Sequence, residues 1–200
     1  EAVHLERPIW ELEPAGAAAI QIEDQVWPKR CGHLSGKAVV DAAVMESRIR
    51  VAAATKEDPD LVILARTDAR GTHDLAEAIN RAKRYLDAGA DWIFVEALTS
   101  AQEFEQVADE IDAPLVANMT EFGKSPLLTH QELADMGYAA ILYPVTLLRV
   151  AMKAAETTLA LLATEGSQQS LLDLMQTREE LYDLLDYHDF EERDRSHFGN

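Results

Sequence analysis

Five short runs, apolar or β-branched and without regular polar alternation, recur along the chain at helix-length intervals. They read "AAAIQIE" (17–23), "LVILAR" (61–66), "DWIFVE" (91–96), "PLVAN" (114–118) and "AAILY" (139–143). Strands with this composition are buried on both faces, which is the signature of a parallel sheet covered by helices. Amphipathic stretches near 41–56, 74–88, 100–110 and 129–136 separate the runs, and a longer one follows at about 145–165.

Glycine marks the junctions. Gly89 in "LDAGADWIF" and Gly137 in "LADMGYAAIL" stand where a helix ends and a strand begins, and "LEPAGAAAI" repeats the signal with Gly16. A residue there adopts the left-handed conformation that terminates helices, and glycine does so without a Cβ penalty. Repeated strand–helix units imply parallel strands with right-handed crossovers. Five such units fit an open doubly wound sheet or part of a (β/α)8 barrel, which needs about 250 residues when complete. The absence of a Gly-rich phosphate loop after any strand weakens the doubly wound dinucleotide option. Pro8 is expected to break any regular helix near the N-terminus. The pattern divides into 1–166, the strand–helix part, and 167–200, a helical extension expected to serve as an oligomer contact.

Functional groups of parallel α/β folds gather where the strands end. Those ends carry Glu23-Asp24, Arg66-Thr67-Asp68, Glu96, Asn118-Met119-Thr120-Glu121, and Tyr143 followed by Arg149. One polar strand end is unremarkable, but four closing apolar runs at one rim point to a site. The loop after Glu23-Asp24 reads "PKRCGHLSGK" (28–37) and holds the only cysteine, in a chain with 36 acidic and 18 basic residues. Gly32 and Gly36 allow such a loop to move as a lid. Lys29, Arg30 and His33 favour the thiolate of Cys31, the form that accepts a proton or attacks carbon. Arg66 ends an apolar run, so it is either paired with Asp68 or free to clamp a substrate carboxylate. Glu23 and Glu96 are candidate partners for Arg66 and the loop cations, or groups that orient a metal-bound water. His4, His73, His130, His188 and His197 lack ligand spacing and read as surface or packing residues. Trp10, Trp27 and Trp92 read as core or interface.

A net charge of −18 argues against nucleic acid and anionic membrane as partners. It suits a high-salt cytoplasm or an ordinary acidic enzyme, and a single cysteine suits a reducing compartment. No apolar run reaches the ~20 residues of a transmembrane helix, and the N-terminus does not resemble a signal peptide.

"KRCGH" after "IED", then "ARTD", "VEA" and "ANMTEFG", resembles the isocitrate lyase/phosphoenolpyruvate mutase superfamily, and "SPLLT", "LYPVTLLR" and "MQTREELY" extend the likeness to the C-terminus. "NMTEFG" resembles the branch that splits 2-methylisocitrate into pyruvate and succinate. The resemblance implies a (β/α)8 TIM barrel, of which this chain holds about the last five units and the C-terminal helices. It also implies Mg²⁺ or Mn²⁺, a small polycarboxylate substrate, a homo-oligomer, and retro-aldol cleavage with a metal-stabilised enolate. By position, Cys31 is the acid/base, supported by Lys29, Arg30 and His33. Cys31, Gly32, Arg66, Glu96, Asn118, Met119, Thr120, Arg149 and Arg178 match substrate contacts, and Glu23 a carboxylate that reaches the metal through water. The aspartates that hold the metal directly are expected upstream of this sequence. Phosphonomutases and 2,3-dimethylmalate-type lyases share these motifs, and an inactive barrel piece kept as an oligomerisation module is the non-enzymatic alternative.

Overall fold

The five apolar runs form five parallel strands, each within two residues of its expected limits. They are β1 (Ala19–Glu23), β2 (Val62–Thr67), β3 (Trp92–Val95), β4 (Leu115–Asn118) and β5 (Tyr138–Leu142). The computed structural model describes residues 2–199. Two compact units divide the chain, one up to Thr146 and one from Leu147 on.

In the first unit the strands lie in the order β1-β2-β3-β4-β5 with every neighbouring pair parallel. A doubly wound sheet reverses direction at a switch point, whereas this sheet advances one strand at a time. The crossover helices α2 (Ala42–Thr55), α3 (Leu75–Asp87), α4 (Ala101–Glu110) and α5 (His130–Asp135) all feed one core. There Met45, Ile49, Ile79, Phe104 and Leu133 meet Ile63, Ala65, Ile93 and Ala117. Side chains alternate along a strand, so the intervening residues Leu64, Phe94 and Val116 form a second cluster on the opposite face, flanked by Val62, Trp92 and Ala140. One-directional winding with helices on a single face is the layout of a barrel wall, and the doubly wound alternative is removed.

Gly89 and Gly137 take φ values of +106° and +97°. Both follow a helix end and redirect the chain into a strand. Gly16, at φ +88°, instead closes a turn in which its N–H donates to the Glu13 carbonyl at 2.9 Å. Pro8 does not break the N-terminal helix. It sits in the first turn of α1 (Glu6–Leu12), where no intrahelical partner exists for the N–H that proline lacks. Trp10 and Trp27 are exposed and not core residues, while Trp92 packs on the second cluster.

Asp24, wholly buried one residue beyond β1, ties the sheet to α3. Its carboxylate accepts from Thr67 Oγ1 (2.7 Å), the Asp68 N–H (2.9 Å), Tyr85 Oη (2.9 Å) and Arg81 Nη1 (3.3 Å). Burial, then the Asp24 charge, pushes the Tyr85 phenol far above its ordinary range, so it stays a donor. This hub shapes the turn that carries Asp68.

The second unit contains most of α6 (Thr146–Glu165), then α7 (Arg178–Leu184) and α8 (Tyr187–Phe198). Position 166, the division expected from sequence, marks the end of α6. Thr177 and Glu180 cap α7 reciprocally, and the Tyr182 and Tyr187 rings stack at 4.3 Å. Among the described residues no helix is long and apolar enough to cross a membrane.

Replacing Asp24 by Ala strands Arg81 and Tyr85 in the interior, so urea denaturation of the full-length protein is expected to show a loss of about 3 kcal/mol or more. A loss under about 1 kcal/mol would place the helix–sheet anchor elsewhere.

Candidate active site

Strand register builds the rim. Glu23, the last residue of β1, lies opposite Arg66 of β2, and Arg66 lies opposite Phe94 of β3. Period-two alternation sets Arg66 on the face of Leu64, Glu96 on that of Phe94 and Asn118 on that of Val116. Polar groups thus close β1 to β4 just above the second apolar cluster.

Arg66 stands at the centre. Its Nε is 3.0 Å from Asp68 Oδ2 and 3.7 Å from Glu23 Oε2, while Nη2 is 2.9 Å from Glu96 Oε2 and 3.3 Å from Asp68 Oδ1. The guanidinium carbon lies 5.1 Å above the Phe94 ring. Among the described residues none of these ion pairs uses Nη1. Lys29 Nζ reaches Glu23 at 3.1 Å, Lys37 Nζ reaches Asp68 Oδ1 at 2.8 Å, and Asn118 Nδ2 donates to both Glu96 oxygens at 3.3 Å. Lys29, Lys37 and Arg66 therefore face Glu23, Asp68 and Glu96, and the cluster carries no net charge.

Burial alone would raise the Glu96 and Asp68 carboxyls. The close His33 imidazole and the Arg66 charge at Glu96, and Arg66 and then Lys37 at Asp68, outweigh it and hold both below the usual carboxylate range. Arg66 is raised despite burial by Glu96, Asp68 and Glu23.

The loop at 28–37 lies on this cluster. Gly32 is buried, and a Cβ there would stand 2.3 Å from Glu96 Cγ, 2.6 Å from Arg66 Nη2 and 2.8 Å from Asp68 Oδ1. Close approach, more than freedom of movement, requires glycine at this position. Cys31 beside it is exposed. Gln25 clasps Arg30 through its backbone, accepting from the N–H at 2.8 Å and donating to the carbonyl at 2.9 Å. The Lys124 N–H donates to His33 Nδ1 at 2.9 Å, which leaves the ring proton on Nε2. That Nε2 is 2.9 Å from Glu96 Oε1, out of line for a well-formed hydrogen bond. Lys29 and His33 are thus committed to Glu23 and to Glu96 with Lys124, while the Arg30 side chain is exposed.

Asn118 Oδ1 is buried without a partner, and Thr120 is buried beside it in the chain. Met119 points to the helix-side core, where its Sδ accepts from the Leu128 N–H, so a ligand at the rim would meet only its backbone. Arg149 and Arg178 are exposed and belong to the second unit. The five histidines outside the loop are exposed. Sequence reasoning missed the depth of Asp24 and Lys37. Asp24 was visible as a strand-end polar residue, but a lysine in a basic loop gives no signal of burial.

No three His, Cys, Asp or Glu residues converge on a metal position among the described residues. Glu23 is engaged by Lys29 and Arg66, so these residues do not by themselves make a metal centre.

A family model described as phosphoenolpyruvate phosphomutase matches residues 1–163. The chain is 50 % identical over 194 residues to the 2-methylisocitrate lyase of Aeropyrum pernix, covering 97 % of this chain and 62 % of that protein. It thus spans less than two thirds of the length of that curated relative. The structure of a 2,3-dimethylmalate lyase, a PEP mutase/isocitrate lyase superfamily member, superposes with a TM-score of 0.88 at 33 % identity, over 99 % of this chain and 66 % of that one. A phosphonopyruvate hydrolase in complex with oxalate and Mg²⁺ superposes with a TM-score of 0.81 at 25 % identity, over 99 % and 68 %.

Glu96 and Asp68 titrate lower folded than unfolded, so their stabilisation is complete above about pH 4–4.5 and is lost as pH falls through the folded values. Urea midpoints measured from pH 7 to pH 3 should therefore fall with acidification. Glu96→Gln should start lower at pH 7 and fall less steeply. An acid limb identical to wild type would contradict the pairing.

Proposed function

The chain belongs to the phosphoenolpyruvate phosphomutase family, and from that premise we propose that the complete protein is a lyase that splits 2-methylisocitrate into pyruvate and succinate. One observation carries the reading: the Cys31-Gly32 segment rests directly on the Arg66–Glu96–Asp68 cluster, at the strand ends where barrel enzymes react. The high identity to a 2-methylisocitrate lyase supports this choice within the superfamily.

The substrate carries a tertiary hydroxyl and three carboxylates. Cleavage removes the hydroxyl proton to a rim carboxylate, and the oxygen lone pair becomes the carbonyl of pyruvate as the carbon–carbon bond breaks. The bonding pair moves to the carbon of the succinate fragment, delocalised into its carboxylate. Atom balance thus places the enolate-like charge on succinate and releases pyruvate as a ketone, so the enolate that the resemblance implies is the succinate's. Cys31 donates a proton to that carbon. Arg66 holds a substrate carboxylate through Nη1, while Asp68 and Glu96 fix the rest of its fork. Asn118 Oδ1, buried and unpaired, is an acceptor for a substrate hydroxyl. Gly32 and the loop around it exclude water.

A neutral cluster cannot offset a tricarboxylate, so we assign a divalent cation, Mg²⁺ or Mn²⁺, to the complete protein. Its direct ligands would come from outside the described residues, and Glu23 would reach it only through water. Such an ion supplies Lewis-acid stabilisation to keto-acid oxygens when bound. We also place the protein in the cytoplasm as a homo-oligomer, with 167–200 in the contact. The exposed Leu174, Leu184, Phe190 and Phe198 support that assignment.

Full-length protein with Mg²⁺ and 2-methylisocitrate is expected to release pyruvate and succinate in equal amounts, with EDTA abolishing turnover and Mg²⁺ restoring it. No pyruvate, or turnover of 2,3-dimethylmalate or a phosphonate instead, would overturn the assignment. Cys31→Ser should lower kcat by roughly 10²–10⁴-fold with KM little changed, the cost of losing a positioned proton donor. Wild-type turnover in that variant would remove Cys31 from the chemistry.

A further inference from the structure

Lys37 is a loop cation to which the mechanism above gives no task. Its side chain is 1 % exposed, the deepest ammonium of the cluster. A lysine that far from water persists only when fully paired. Two partners satisfy it: Asp68 Oδ1 at 2.8 Å, and the Gly32 carbonyl. The same Asp68 oxygen accepts from Arg66 Nη2 at 3.3 Å. One carboxylate is thus shared between the arginine of the rim and the lysine that grips the loop next to Cys31.

The grip is also sterically fitted. Gly71 closes the turn after Asp68, and a Cβ there would lie 2.7 Å from both Cε and Nζ of Lys37. The lysine stem therefore runs through a channel with no room for a methyl group.

We propose that Lys37 is a positioning residue: by bridging the Gly32 carbonyl to Asp68 it holds the Cys31-Gly32 segment down on Arg66 and Glu96, and so sets the reach of Cys31 to a substrate held by that arginine. The proposal rests on the lyase reading for its catalytic consequence, but not for the bridge itself. A lysine that only neutralised Asp68 would affect stability and leave proton delivery untouched.

Two variants of the full-length protein separate these roles. Lys37→Met keeps the apolar stem and removes both bonds. Gly71→Ala keeps the charge and crowds Cε and Nζ of Lys37 out of their position, its next neighbour, the Gly32 carbonyl oxygen, lying at an ordinary contact distance of 3.9 Å. Both are expected to lower kcat about 10²-fold, the penalty of an ångström-scale misplacement, with KM within about threefold. Amide hydrogen exchange across 31–34 and at Lys124 should rise roughly tenfold in both, while exchange in α3 stays at the wild-type rate. Wild-type kcat in both variants, or loop exchange unchanged in both, would overturn the proposal. So would a general rise in exchange in Lys37→Met with Gly71→Ala indistinguishable from wild type, because Lys37 would then be structural only. If the wild-type protein does not turn over 2-methylisocitrate, the lyase reading fails, and the exchange measurements still decide whether Lys37 holds the loop.

Discussion

The site depends on one buried guanidinium. Arg66 closes an apolar strand, above Phe94, and charge so far from water needs compensation on every side. Asp68 and Glu96 supply it directly, and Glu23 adds to it from the neighbouring strand. Each acid is then tied to a second group: Glu23 to Lys29, Asp68 to Lys37, Glu96 to His33 and Asn118. Residues from four strand ends and one loop are thereby locked by a single cation. Asp24 steadies the arrangement from behind by fixing Thr67 and the Asp68 backbone to α3.

The rim also stores backbone strain. Ala97 sits at φ +63° directly after Glu96, and its N–H donates to Glu96 Oε1 at 2.9 Å. Phe122, within "NMTEFG", sits at φ +59°. A residue with a Cβ gives up on the order of 1–2 kcal/mol to adopt that conformation, and such positions persist where surrounding contacts over-determine them. At Ala97 the determining contact is Glu96 itself, whose carboxylate turns back to its own chain while it still reaches Arg66 and His33.

The sheet was legible because burial on both faces writes a strong pattern: five apolar runs became five parallel strands, and the polar residues that close four of them stand on one rim. The barrel direction of winding was not legible, since periodicity does not report strand order. Pro8 was misread because proline's cost depends on its position within a helix, and only the structure places it in a first turn. At the site, residue types at strand ends identified Glu23, Arg66 and Glu96, and the loop motif identified Cys31 and Gly32. The roles of Lys37 and Gly71 were invisible, because both depend on contacts across 31 or more residues or on the space left around one side chain. Met119 shows the converse. Its position matches a substrate contact, but strand alternation turns its side chain to the helix-side core.

The basic loop first stands out as a charge anomaly on a chain of net charge −18. Read with the structure, most of that charge is consumed internally: Lys29 neutralises Glu23 and Lys37 neutralises Asp68. Arg30 is the loop cation without an ion pair among the described residues. The loop therefore does little to steer an anion from a distance, where salt screening would weaken it anyway. Its charges act over bonding distances and, together with Arg66 of β2, convert three rim carboxylates that would repel a polyanionic substrate into a neutral, pre-formed frame. A neutral frame orients a tricarboxylate without repelling it, and it leaves to a separately bound cation the compensation of the substrate's own charge.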